Sequence, residues 1–334
     1  MPQEEHPEES SHGVQPVLRG APLISPMHTT QTVPDISEQQ GCRRPPPPPF
    51  TTIWQAFLAM FALLFLQFVM GIAVMVPTII VKEIFKLPEL ATNIQNYGIP
   101  AVTLLTSLTM GAALLWLSKR PLSTLWRRGS FHVSILPLLV ILILGVSIIE
   151  SELDNLTRYF FPMPEFIRNL MESMNPTPLS GMLLLVIVAP FGEEVLFRGG
   201  VMGGFLKRYS WKKAILASAA IFALAHVNPY QLFSAFTAGL MMGTIYLKTR
   251  SLWPCVFMHG VNNLMCWAMM NKLSPVEIPG YTTPPTNETF FQPWWFDLMG
   301  VALTIVAIWA LVWYFKRQGR KESQAAVPAP EPML

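Results

Sequence analysis

Charge is what this sequence has least of. Asp, Glu, Lys and Arg make up 13% of its residues, where an ordinary soluble domain carries about 25%. Cysteine is nearly as scarce. Cys42, Cys255 and Cys266 have neither the pairing of a disulfide framework nor the spacing of a zinc ribbon. The excess of base over acid is small, with a net charge of +3. The basic residues sit in short clusters between apolar runs, which sets membrane topology and excludes a nucleic-acid-binding stripe. The first residues lack a basic stretch leading into an apolar one, so no cleavable signal peptide is expected. No internal repeat appears in the apolar pattern.

What is present is apolar: 51% of residues are hydrophobic, and Met, Phe and Trp are abundant. Runs of about 20 apolar residues span a bilayer as helices. They fall near 53–81, 97–118, 132–150, 179–206, 212–228, 230–247, 252–270 and 294–315. The expected fold is therefore all-α, a polytopic membrane protein of about eight transmembrane helices. Residues 1–50 form a polar tail ending in Pro45 to Pro49, too poor in apolar surface to fold, and are expected to be disordered and cytosolic. Residues 51–177 hold the first helices and an outer-surface loop, with a short surface helix over 163–174. Residues 178–270 form the core, 271–316 an outer loop and the last helix, and 317–334 a cytosolic tail.

Loop charges orient the chain. On one side lie Arg43 and Arg44, then Lys119, Arg120, Arg127 and Arg128, then Lys207, Arg208, Lys212 and Lys213. Lys248 and Arg250 follow on that side, then Lys316, Arg317, Arg320 and Lys321. The other side holds Lys82, Lys86, Arg158, Arg168 and Lys272. The positive-inside rule makes the first side cytoplasmic, with both termini there, in a bacterial plasma membrane or the endoplasmic reticulum. Sequons at Asn155 and Asn287 then fall outside. The small-residue pairs among Gly199, Gly200, Gly203 and Gly204, and Gly239 with Gly243, mark close helix packing.

Ionisable residues inside the expected spans concentrate in one constellation. The fourth span carries Glu193, Glu194 and Arg198, the fifth Phe222 and His226, and the seventh His259, Asn262 and Asn263. A charge at the bilayer centre costs about 2.5–3.5 kcal/mol on insertion scales, so such groups pair or face a wet cavity. Glu194 and Arg198 are one helical turn apart and can pair, a structural role. Glu193 is left without a local partner. His259 and Asn263 share one helix face. Counting from the basic loops at 1.5 Å per residue puts Glu193 and His226 at matching depth, with His259 shallower by roughly 6 Å.

Glu-Glu-x-x-x-Arg at 193–198, Phe-x-x-x-His at 222–226 and His-x-x-x-Asn at 259–263 resemble, in order and spacing, the three motifs of the CPBP family. These are intramembrane proteases related to type II CAAX prenyl endopeptidases and bacteriocin-processing (Abi-related) proteins. The resemblance covers roughly residues 178–270. It implies a site between the fourth, fifth and seventh helices, in a cavity that opens to the cytosol in the prenyl-protease branch. It also implies Glu193 as the base that activates water, His226 as its positioner, and His259 and Asn263 as oxyanion donors. Glu194, Arg198 and Phe222 would support them.

The chemistry agrees with these roles. A general base needs a raised pKa, which burial gives a carboxyl group, and amide hydrolysis needs fixed donors at the tetrahedral oxygen. The expected partners are a peptide or lipidated protein substrate and the bilayer. No cofactor is required on this reading. The alternative is one divalent metal such as zinc on Glu193, His226 and His259, three ligands plus water being the usual catalytic set, although His-Glu-x-x-His is absent. Two non-proteolytic readings stay open, a proton-coupled transporter and a membrane scaffold or immunity protein.

Overall fold

The structure is a computed structural model and describes residues 52–125, 127–168, 178–271, 273, 275–282 and 291–325. The tail expected over 1–50, the end of the C-terminal tail and Asn287 lie outside these residues. Of the surface helix expected over 163–174, residues 163–168 are described, and 165–168 are helical.

Among the described residues there is no strand, and eight long helices follow one another. They are α1 (Ile53–Ile79), α2 (Pro88–Leu117), α3 (Leu136–Phe160), α4 (Leu179–Phe205), α5 (Trp211–Ala225), α6 (Leu232–Thr249), α7 (Trp253–Met270) and α8 (Trp294–Ala325). Local chemistry sets the ends. Thr52 and Gln55 close a reciprocal capping box on α1. Pro88 and Pro254 sit in the first turns of α2 and α7, where a missing N–H costs nothing. Arg250 ends α6 in the left-handed region at φ 54°.

Five of the eight, α1, α2, α3, α4 and α8, are long and apolar enough to cross a membrane. The chain is an all-α polytopic membrane protein. The count of eight spans expected from hydropathy meets a difference here: α5, α6 and α7 fall outside that set. They have 15, 18 and 18 residues, so α5 is only about 22 Å long at 1.5 Å per residue. α5 and α7 carry polar side chains of the site, and all three pack against their neighbours, so they do not need a lipid-facing run of full length.

Helices pair as α1 with α2, α3 with α8, and α5 with α6, while α4 touches α2, α5 and α7. The core is contiguous through Leu114, Leu139, Phe197, Met202, Phe222 and Met258. The glycine pairs mark close approach, as expected. A Cβ on Gly239 would lie 2.8 Å from the Ala219 Cα, and one on Gly200 2.9 Å from the Leu114 Cβ. The α3–α8 crossing uses Gly145 and Gly300 in the same way.

The loops fall at two ends of the bundle. At one end Lys207 Nζ donates to the Ser118 carbonyl at 2.8 Å, and Arg120 donates to the Gly199 carbonyl and to Tyr246 Oη. Ser251 Oγ donates to the Arg127 carbonyl, and Ser130 N to Thr249 O, on the same end. At the other end Asn155 Nδ2 donates to the Gly280 carbonyl at 2.8 Å, Ser147 Oγ meets Tyr281 Oη at 3.1 Å, and Gln292 N donates to Glu152. The sequon amide at Asn155 is thus held inside a hydrogen-bond network.

Candidate active site

α4 is not a regular α-helix. Leu183–Val188 and Val195–Met202 are π-helical, on either side of a single α-helical stretch, Ala189–Glu194, that carries both glutamates. π-helical turns cluster at functional sites. Because an i→i+5 ladder takes more residues per turn, the stretch from Lys207 back to Glu193 gains less depth than 1.5 Å per residue would give. This reduces the depth mismatch expected at His259, whose ring reaches both glutamates.

The two glutamates have different surroundings. The Glu194 and Arg198 side chains are 0% and 1% exposed, and Arg198 Nη1 donates to Glu194 Oε1 at 3.0 Å. The guanidinium also donates to the Gly239 carbonyl at 3.2 Å and stacks over the Phe222 ring at 4.7 Å. The one-turn pair expected from spacing is therefore formed and dry. Glu194 Oε1 additionally receives His259 Nδ1 at 2.9 Å. This contact joins α4 to α7, and sequence spacing did not reveal it, because one-turn spacing exposes a pair only within a helix.

Glu193 points elsewhere. Its side chain is 28% exposed, its Oε2 has no hydrogen-bonding side chain, and that oxygen lies 3.9 Å from His259 Nε2. His259 is thus held through Nδ1 by Glu194 and presents Nε2 toward Glu193. His226 ends α5, and its Nδ1 meets the Phe222 carbonyl at 2.9 Å. A carbonyl only accepts, so Nδ1 carries the proton and Nε2 is left free. Phe222 contacts both imidazoles, with centroids 4.9 Å from His226 and 5.8 Å from His259. After His226 the chain turns at Val227, a β-branched residue at φ 51°, a conformation such side chains adopt only under strain.

Asn263 is one turn beyond His259, as expected, but one of its amide protons is engaged. Asn263 Nδ2 donates to the Leu185 carbonyl at 2.8 Å. The reason lies in α4: the π-ladder donor for that carbonyl would be residue 190, a proline without an N–H. Asn263 fills the gap and keeps one further N–H.

Glu193, His226, His259, Asn262 and Asn263 line one cavity of about 1060 Å³, at the upper limit of the size of ligand sites. Its far wall is the second half of α3. There Ser147, Ser151, Asp154 and Arg158 form a polar stripe, joined by Glu150 and Tyr281. Burial pushes the Tyr281 phenol above its ordinary pKa, its bond to Ser147 opposing the shift. Sequence reasoning ended the third span at residue 150 and so missed this wall, although the i, i+4, i+7, i+11 spacing was visible. As to metal, among the described residues no three His, Cys, Asp or Glu side chains converge closely enough to hold an ion. The set Glu193, His226 and His259, as placed, does not fit one.

Residues 175–265 match the family model of the type II CAAX prenyl endopeptidase Rce1-like proteins. A Bacillus subtilis (strain 168) protein named "Putative membrane peptidase YdiL" is 28% identical over 90 residues, covering 27% of this chain and 36% of that protein. The chain therefore aligns with little more than a third of that relative's length. No solved structure matches it. The matched segment contains every residue of the Glu/His/Asn constellation, and over that segment the chain is similar to the Rce1-like type II CAAX prenyl endopeptidases.

Proposed function

We propose that this protein is an intramembrane endopeptidase that hydrolyses a peptide bond of a membrane-associated or lipidated polypeptide. The observation that carries the proposal is the pairing of an unpartnered Glu193 Oε2 with a His259 ring locked by Glu194, 3.9 Å apart on the cavity wall. Glu193 takes a proton from a water on its cavity side, with His226 Nε2 accepting from the same water. The water oxygen attacks the scissile carbonyl carbon, and the developing oxyanion is met by His259 Nε2–H and the remaining Asn263 N–H. Glu193 then returns its proton to the leaving nitrogen as the C–N bond breaks.

Charge balance favours this arrangement. For His259 to donate through Nε2 while Nδ1 is given to Glu194, the ring must be an imidazolium. Glu193 and Glu194 then balance Arg198 and His259, and moving the water proton onto Glu193 keeps the pocket neutral as the oxyanion forms. A neutral set is the least costly one in an apolar surrounding. No step requires a metal.

Glu193→Gln in purified, reconstituted protein tests the reading. Loss of general-base catalysis typically costs 10²–10⁴-fold in rate, an order-of-magnitude expectation, with an unchanged melting profile. A variant that still cleaves peptide at the wild-type rate removes Glu193 from the mechanism. A prenylated peptide and its unprenylated twin, assayed side by side, report whether the lipid contributes to recognition.

A further inference from the structure

The two ends of the bundle differ in charge as sharply as in structure. The loops 118–132, 206–213 and 248–252 hold ten Lys and Arg residues and no Asp or Glu. Hydrogen bonds from Lys207 to Ser118, Arg120 to Gly199 and Ser251 to Arg127 show that these loops occupy one and the same end. The C-terminal part of α8 joins it, since Tyr314 Oη accepts from His132 N and Gln318 donates to the Ser130 carbonyl, adding Lys316, Arg317 and Arg320. At the opposite end the basic residues are few, and Arg158 is neutralised by Asp154 at 2.6 Å.

The cavity belongs wholly to that opposite end. Its wall uses the second halves of α3, α5 and α7 and the first halves of α4 and α6, and its rim is formed by Asn228, Tyr230, Gln231, Thr157 and Tyr281. No residue of the three basic loops lines it. α5 is the shortest of the eight long helices, with 15 residues. Lys and Arg near span ends stay cytoplasmic, so a cavity at the other end cannot also open to the cytosol, as it does in the prenyl-protease branch.

From this geometry we infer that the cavity opens on the non-cytosolic side of the membrane. Resting on the peptidase reading above, the substrate is then the extracytoplasmic stretch of a membrane-anchored polypeptide, cut just outside or within the outer half of the bilayer. A cytosolic prenylated C-terminus would meet the closed, basic end of the bundle.

The test is labelling of the full-length chain, expressed in the plasma membrane of bacterial cells, with a membrane-impermeant maleimide added to the intact cells. The background carries Cys42→Ser and Cys266→Ser and retains the buried Cys255. Gln231→Cys and, as a second rim position, Thr157→Cys report the mouth, and Lys212→Cys reports the basic end. The rim variants are expected to label in intact cells, and Lys212→Cys only after permeabilisation. The reverse pattern, or labelling of both ends in intact cells, overturns the inference. So do rim cysteines that label only once the membrane is opened, or that fail to label even in detergent. Catalysis plays no part in this readout, whereas Glu193→Gln is assayed in detergent without regard to sidedness, so the peptidase reading and the orientation fail separately.

Discussion

The basic end of the bundle and the cavity end handle their polar groups in opposite ways. At the basic end Arg120, Lys207 and Ser251 each find a carbonyl on a neighbouring helix or loop, and the helices close together. At the cavity end Glu150 Oε1, Asp154 Oδ1 and Glu193 Oε2 are shielded from bulk solvent yet lack a hydrogen-bonding side chain. A buried polar group without a partner costs roughly 1–3 kcal/mol, so this concentration is tolerable where water or substrate supplies the missing bonds. One end holds the fold together, and the other is kept ready for a ligand. The Glu194–Arg198 pair lies between them and serves both.

If that division is right, substitutions should separate stability from activity according to position. Arg198→Met should have the largest effect on folding. It leaves Glu194 charged and buried beside His259, and breaking such a pair costs about 3–5 kcal/mol, read as a fall in thermal midpoint in detergent together with lost cleavage. A melt near wild type would show that the pair contributes little to the frame. Arg120→Met at the basic end strands the Gly199 carbonyl and the Tyr246 hydroxyl, so a loss of about 1–3 kcal/mol is expected, with the residual folded enzyme cleaving normally.

Glu150→Gln, on the cavity wall, should change stability by less than about 0.5 kcal/mol, because the amide keeps an oxygen for the hydrogen bond with Thr237 and its Oε1 has no partner to lose. A clear destabilisation there would place the wall with the frame. The smallest effect is expected from chelation. Treating the purified protein with a strong chelator should leave peptide cleavage unchanged, and lost activity restored by a divalent ion would overturn the metal-free mechanism.

Much of this frame is legible in the residues. The apolar runs located α4 to α7 to within about three residues at either end, because Gly, Pro and basic clusters punctuate them. α2 begins earlier than hydropathy suggested, at Pro88, since its first turns carry Glu89, Asn93, Gln95 and Asn96. α3 runs on to Phe160 for the same reason, its polar end reading as loop. The Glu194–Arg198 pair was visible because both residues share a helix. The Glu194–His259 bond was not, since it spans 65 residues and only the packing of α7 on α4 creates it. The tightness of that packing appears at Gly260, where a Cβ would lie 2.9 Å from the Val186 carbonyl.

Pro190 gives the site one more property. By withholding a donor it turns the Leu185 carbonyl into an anchorage point that a side chain from another helix occupies. The aim of Asn263 is therefore not inherited from its own helix but borrowed from a gap in the neighbour's backbone. Any sideways slip between the two helices would unseat the amide and disarm the pocket before a single catalytic atom was changed.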